Sequence, residues 1–221
     1  NIIDADPASG TYGTVTASGT IGGGERWAYS EAADVVVSAP IIFGGSVTLV
    51  DVDPSSATFL QPAPSFPTAN IPFAFGAGAT FSTDGRYAIP YLGGIDGTYM
   101  PCYDRLTSTW LDADPVVPGT QHFFFPYAVG SSIAPIPGVD AAIVTGLGSN
   151  NISQDGWFGR VDHSGTPDQW TFTLYGMATN DMDGASVDPS GARFAVTAYD
   201  PPRVIVGSTV TGSILTEAIL P

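Results

Sequence analysis

A polar turn containing glycine recurs at Gly85, Gly138 and Gly191, 53 residues apart each time, in TFSTDGRYAIPY (80–91), IAPIPGVDAAIVTG (133–146) and ASVDPSGARFAVTAY (185–199). WAYSEAADVVVSAP (27–40) offers Ala33 at the corresponding place, 52 residues before Gly85. In each copy one apolar run enters the turn and another leaves it, the pattern of two strands joined by a tight connection. A unit of this length cannot bury its apolar faces alone, so the copies must stack on one another. That requirement constrains the fold more than any other feature of the chain.

A second signature runs out of phase with the first. A strand ends in Asp or Ser, a polar turn follows, and an apolar residue re-enters: Asp6 to Tyr12, Asp53 to Phe59, Asp104 to Trp110, Asp162 to Trp170, and Ser208 to Ile214. The opening NIIDADPASGTY therefore matches VTLVDVDPSSATF (47–59). The D-x-D-P phrase in both reads as turn chemistry, because Asp accepts backbone N–H groups and Pro cannot continue a central ladder. A third D-x-D-P, Asp112 to Pro115, lies elsewhere in its repeat, which argues against a shared metal role.

The apolar runs are rich in Val, Ile, Thr, Phe and Tyr and no long helical period interrupts them, so the chain is all-β. A period of about 50 residues holding four strands is that of a β-propeller blade. We expect a single β-propeller domain over 1–221: a partial blade at 1–20, then four complete blades at 24–66, 74–118, 128–178 and 180–221.

FSTDGRYAIPY…CYDRLTSTW and VDPSGARFAVTAY…VGSTVTGSIL resemble the repeat consensus of bacterial propellers related to the YVTN and WD40-like groups. NISQDGWFGRVDHSGTPDQW is similar to a phrase of the virginiamycin-B-lyase-like and NHL-like propellers. The likeness covers nearly the whole chain, but it rests on turns and strand pattern. WD and GH dipeptides are missing, and the third blade replaces the polar turn with Pro135-Ile136-Pro137-Gly138. The resemblance implies an architecture and no particular activity.

The formal charge of −15 arises from 21 acidic residues against 6 basic ones, all of them Arg. Such a balance repels nucleic acid and anionic membrane surfaces, and no run of about 18 apolar residues suggests membrane insertion. It suits an extracellular, secreted or virion-surface setting. Cys102 is the only cysteine and has no intramolecular disulfide partner; mid-strand between Pro101 and Tyr103, it reads as a buried thiol.

Catalytic motifs are scarce. His122 and His163 fall in different blades, with His163 in an Asp-His-Ser-Gly turn expected to face solvent, and there is no G-x-S-x-G elbow. We therefore assign no catalytic residue and no certain cofactor. The best cation candidate is TNDMDGASVDPS (179–190), in which Asp181, Asp183 and Gly184 reproduce part of a Ca²⁺ loop, while Thr179 and Ser190 stand where that loop wants acids. Among aromatics, Trp110, Trp157 and Trp170 read mostly as core but are the candidates for stacking on a ligand. The expected role is a non-catalytic binding or assembly module for a protein partner or glycan, with a second copy or larger assembly able to complete the ring. The alternatives are a polysaccharide-active glycosidase or lyase using tunnel carboxylates and a sugar-binding lectin.

Overall fold

The structure is a computed structural model that describes residues 2–3, 8–17, 26–30, 34–39, 46–63, 66–67, 75–94, 97–111, 123–125, 130–147, 155–177, 181–199 and 201–220. The first two strands, β1 (Ile2–Ile3) and β2 (Val15–Ala17), pair as a separate antiparallel hairpin. Four larger antiparallel sheets follow, each built from consecutive chain.

The first sheet runs β3 (Arg26–Ser30), β4 (Val35–Ala39), β5 (Ser46–Asp51) and β6 (Phe66–Pro67) in order. The second holds β7 (Phe75–Phe81) and β8 (Tyr87–Gly93). Its third position is split into β9 (Thr98–Met100) and β10 (Tyr103–Asp104), and its outer position into β11 (Thr109–Trp110) and β12 (Phe123–Phe125). The break between β9 and β10 falls at Pro101, which has no N–H for the ladder. The third sheet is β13 (Gly130–Pro135), β14 (Ala141–Gly146), β15 (Trp157–Asp162) and β16 (Thr171–Met177). The fourth is β17 (Met182–Val187), β18 (Arg193–Ala198), β19 (Arg203–Ser208) and β20 (Ile214–Ile219). One 3₁₀ turn at Pro167–Gln169 is the only helical element among the described residues.

The first strands of the four sheets pack in series, β3 on β7, β7 on β13 and β13 on β17. The sheets therefore radiate from an axis lined by their inner strands, as propeller blades do. Three apolar clusters fill the three seams. Val37, Leu49, Phe66, Leu92 and Tyr99 join the first two blades; Ile89, Tyr91, Met100, Val144 and Trp157 join the second and third; Ile143, Phe158, Phe194 and Val196 join the third and fourth. Strand alternation produces this layout. On β14, Ala142 and Val144 turn toward the preceding blade while Ile143 turns toward the next, so a blade is apolar on both faces. Each fully buried Val, Leu, Ile or Phe contributes roughly 1.5–3 kcal/mol, which makes the seams the main source of stability.

The repeated glycines do what their spacing implies. Gly85, Gly138 and Gly191 have φ of 69°, 75° and 72°, and each sits in the turn between a blade's first two strands. In the first blade the left-handed residue is Asp34 (φ 45°), one place beyond the expected Ala33, which lies outside the described residues. The second signature also shifts there. Asp51, not Asp53, occupies the place of Asp104: Asp51 pairs across the ladder with Val35 as Asp104 does with Tyr87. Asp51 accepts the Asp53 N–H, and Asp53 in turn accepts from Ser55, so the D-x-D-P of the first blade is a turn. The copies at Asp4 and Asp112 lie outside the described residues.

Candidate functional site

The first blade's inner strand presents three unlike side chains in a row of four. Arg26, Trp27 and Tyr29 line a cleft of about 380 Å³ whose other walls are Gly78 on β7 and Ser132 and Pro135 on β13. Trp27 and Tyr29 lie on one face of β3, paired with Ser38 and Val36 of β4, and are 51% and 57% exposed. At the registers matching Trp27 the other inner strands carry Ala79, Ile133 and Ala185, so the Trp27 indole is peculiar to this blade, whereas at the register of Tyr29 the second blade also carries an aromatic, Phe81. The Tyr29 hydroxyl donates to Asp34 Oδ1 at 3.2 Å, which fixes the ring's tip. Arg26 is exposed and makes no ion pair with any described residue.

On the fourth blade, Tyr199 lies within reach of the Arg26 charge. Tyr199, 57% exposed, donates its hydroxyl to Asp183 Oδ2 at 2.8 Å. That bond and the Asp183 charge push the phenol above its ordinary value, while the positive field of Arg26 acts in the opposite sense. Arg26, Trp27 and Tyr29 thus edge the cleft together. The set can grip a partner by stacking and charge, but offers no paired acid and base.

The sequence candidates fare differently. Trp157 (0% exposed) and Trp170 (5%) are interior, and Trp110 is half-buried against Phe66 and Tyr103 at centroid distances of 5.0 and 5.2 Å. These rings are seam packing, and Trp157 and Trp170 present no face to a ligand. In the Ca²⁺ candidate, Met182–Val187 is a strand, the intervening Met182 is fully buried, and Asp183 takes up the Tyr199 hydroxyl, while Thr179 lies outside the described residues. Asp181 lies just before that strand, and its carbonyl accepts the Tyr199 N–H. Among the described residues no group of three or more His, Cys, Asp or Glu could hold a metal ion. Cys102 is fully buried, as expected.

His163 corrects an expectation. Rather than facing solvent it is 1% exposed in the seam between the second and third blades, where Nε2 meets Thr80 Oγ1 at 3.2 Å and Nδ1 has no hydrogen-bond partner. Its ring stands edge-on to Trp170 at 6.0 Å. Burial lowers its pKa to about 4, against the raising effect of Asp140 and Asp162. Nearby, Asp140 Oδ1 accepts the Thr83 N–H at 2.6 Å across the same seam. His122 lies outside the described residues.

Sequence reasoning missed Arg26, Trp27 and Tyr29 because a strand of alternating aromatics looks the same whether its face is covered or open. The one available signal was the lack of an aromatic at the position matching Trp27 in the other repeats.

No family model matches the chain, and no curated protein does. Solved structures match in fold. They include the Dos1 propeller (TM-score 0.61, 13% identity, covering 89% of this chain and 48% of that one) and the mitotic checkpoint complex (0.58, 13%, 88% and 50%). A third is the Cps50 (Swd1) β-propeller domain of Myceliophteria thermophila (0.53, 11%, 85% and 57%). With four-stranded antiparallel blades packed through their inner strands, the chain is a β-propeller protein. It spans about half the length of the structures it matches.

Proposed function

We propose that the chain is a non-catalytic scaffold that binds a protein partner at the mouth of its axial channel, with Arg26, Trp27 and Tyr29 as the anchors. The observation that carries this reading is the exposure of Trp27 and Tyr29 on an inner strand beside an Arg with no ion pair among the described residues. Trp, Tyr and Arg are the residue types that dominate binding hot spots, and rigid strands hold them without an ordering penalty. The net charge of −15 favours a partner with a basic surface, steered by the long-range field. The same acidity, with no Lys, supports an extracellular or virion-surface setting.

Selection from a displayed peptide library tests the reading. Enriched peptides should bind the wild-type chain saturably and lose at least about tenfold affinity to Trp27→Ala, as a truncated hot spot does. Binders indifferent to Trp27→Ala and Arg26→Glu, or no binders alongside a specific hit on a glycan array, would overturn it in favour of another surface or a lectin.

A further inference from the structure

We propose that the seam between the first and second blades holds a binding site for a small zwitterion with an aliphatic side chain, of the class of a free amino acid such as leucine. The cleft there measures about 280 Å³. That is near the lower end of the roughly 300–1,000 Å³ of small-molecule sites, and it accommodates a ligand of amino-acid size. Its floor is apolar and rigid, formed by Val35, Leu49 and Tyr103, which are 5%, 1% and 6% exposed.

The rim carries opposite charges contributed by different blades. Asp51, at the end of β5, accepts the Asp53 N–H on Oδ1 at 2.9 Å, and the Ser56 and Thr58 hydroxyls on Oδ2 at 2.5 Å each. A carboxylate has about four acceptor positions, so roughly one is unused on a side chain that lines the cleft. Burial pushes this carboxyl up, but the three hydrogen bonds and the field of Arg105 outweigh it and hold the group below the usual range, hence charged at neutral pH. Arg105, in the turn after β10, donates one N–H to the Gly85 carbonyl at 3.0 Å and makes no ion pair with any described residue. The two charges therefore influence each other across the cleft without closing on one another. A ligand ammonium facing Asp51 and a ligand carboxylate facing Arg105 would bridge them, with an aliphatic side chain on the floor.

The backbone marks the same place independently. In the outer hairpins of the third and fourth blades the left-handed residue is glycine, Gly165 (φ 81°) and Gly212 (φ 70°). In the two blades that border the cleft the hairpins instead hold Leu60 (φ 59°) and Ser108 (φ 54°) in that conformation, which L side chains adopt only under strain. Ser108 lines the cleft, and Leu60 directly precedes Gln61, which does too. Keeping a hydroxyl at a strained position where sister hairpins use glycine fits a hydroxyl that contacts a ligand.

Titration calorimetry with leucine, leucinamide, N-acetyl-leucine and glycine tests the proposal on the wild-type chain. Leucine should bind saturably. Removing its carboxylate charge, its ammonium or its side chain in the three analogues should each weaken binding at least about tenfold, the cost of leaving a charged partner or apolar floor unmatched. Arg105→Gln should abolish the preference for leucine over leucinamide. Ser108→Gly relieves strain and so should fold at least as well as wild type, yet bind leucine more weakly. No saturable binding of leucine, equal binding of leucine and leucinamide, or unchanged affinity in Ser108→Gly would overturn the proposal.

Discussion

Acidification should loosen the seam between the second and third blades through His163. The imidazole is neutral in the folded chain because burial lowers its pKa to about 4, whereas in the unfolded chain it titrates near 6.5. Between those values the unfolded state binds a proton that the folded state does not, so stability falls as pH falls. The loss begins near pH 6.5 and is complete below about pH 4. A shift of about 2.5 units at about 1.36 kcal/mol per unit corresponds to about 3 kcal/mol, a large part of the 5–15 kcal/mol that typically holds a domain together. Depressed carboxylates such as Asp51, Asp84 and Asp104 contribute stability that is present above their unfolded value of 3.8 and lost below it, so they act mainly under the His163 window. Urea unfolding at intervals from pH 7.5 to 4 on wild type and His163→Phe would isolate the effect, since every other titrating group, His122 included, is common to both. Wild type should lose about 3 kcal/mol more than the variant over that range. Parallel losses in the two proteins, or a His163 ring proton titrating near pH 6.5 in the folded state, would refute the reasoning.

Two further substitutions test the packing. Gly146→Ala should destabilise the chain by about 2 kcal/mol or more in thermal or urea melts, because the new methyl would enter the Trp157 indole, itself fully buried with no room to retreat. Tyr91→Phe should cost about 1 kcal/mol, since it removes a buried hydroxyl that donates to the Thr145 carbonyl at 3.0 Å across the second seam.

The repeat made the architecture legible. Gly85, Gly138 and Gly191 are constrained by backbone sterics that act locally, so their spacing survives in the sequence even where the surrounding side chains have diverged. The carboxylate of Asp104, which accepts the Leu106 N–H at 2.9 Å in its turn, was legible because that contact too is local. Where a blade used different local chemistry the reading slipped: Asp51 and Asp53 are two residues apart on the same kind of turn, and only the ladder partner Val35 identifies which one ends the strand. His163 was misplaced because its turn residues are polar, while its burial depends on the neighbouring blade, whose Thr80 meets its ring from 83 residues away in the chain.

The same distinction explains why both proposed binding surfaces escaped the sequence. A blade is apolar on both faces whether or not a neighbour covers it, so Trp27 and Tyr29 look like core until the packing order β3–β7–β13–β17 shows which faces meet. Asp51 and Arg105 look like solvated turn residues until the first seam brings the two hairpins together around Val35 and Leu49. In a fold made of near-identical units, what distinguishes one place from another is departure from the repeat. Trp27 where sister strands carry Ala79, Ile133 and Ala185, and Ser108 where a sister hairpin carries Gly212, are such departures. Each incurs a cost, exposed aromatic surface in one case and a left-handed backbone in the other, that the architecture does not require. Contacts outside the fold would offset those costs, which is the reason for proposing one ligand at the cleft beside β3 and another in the seam.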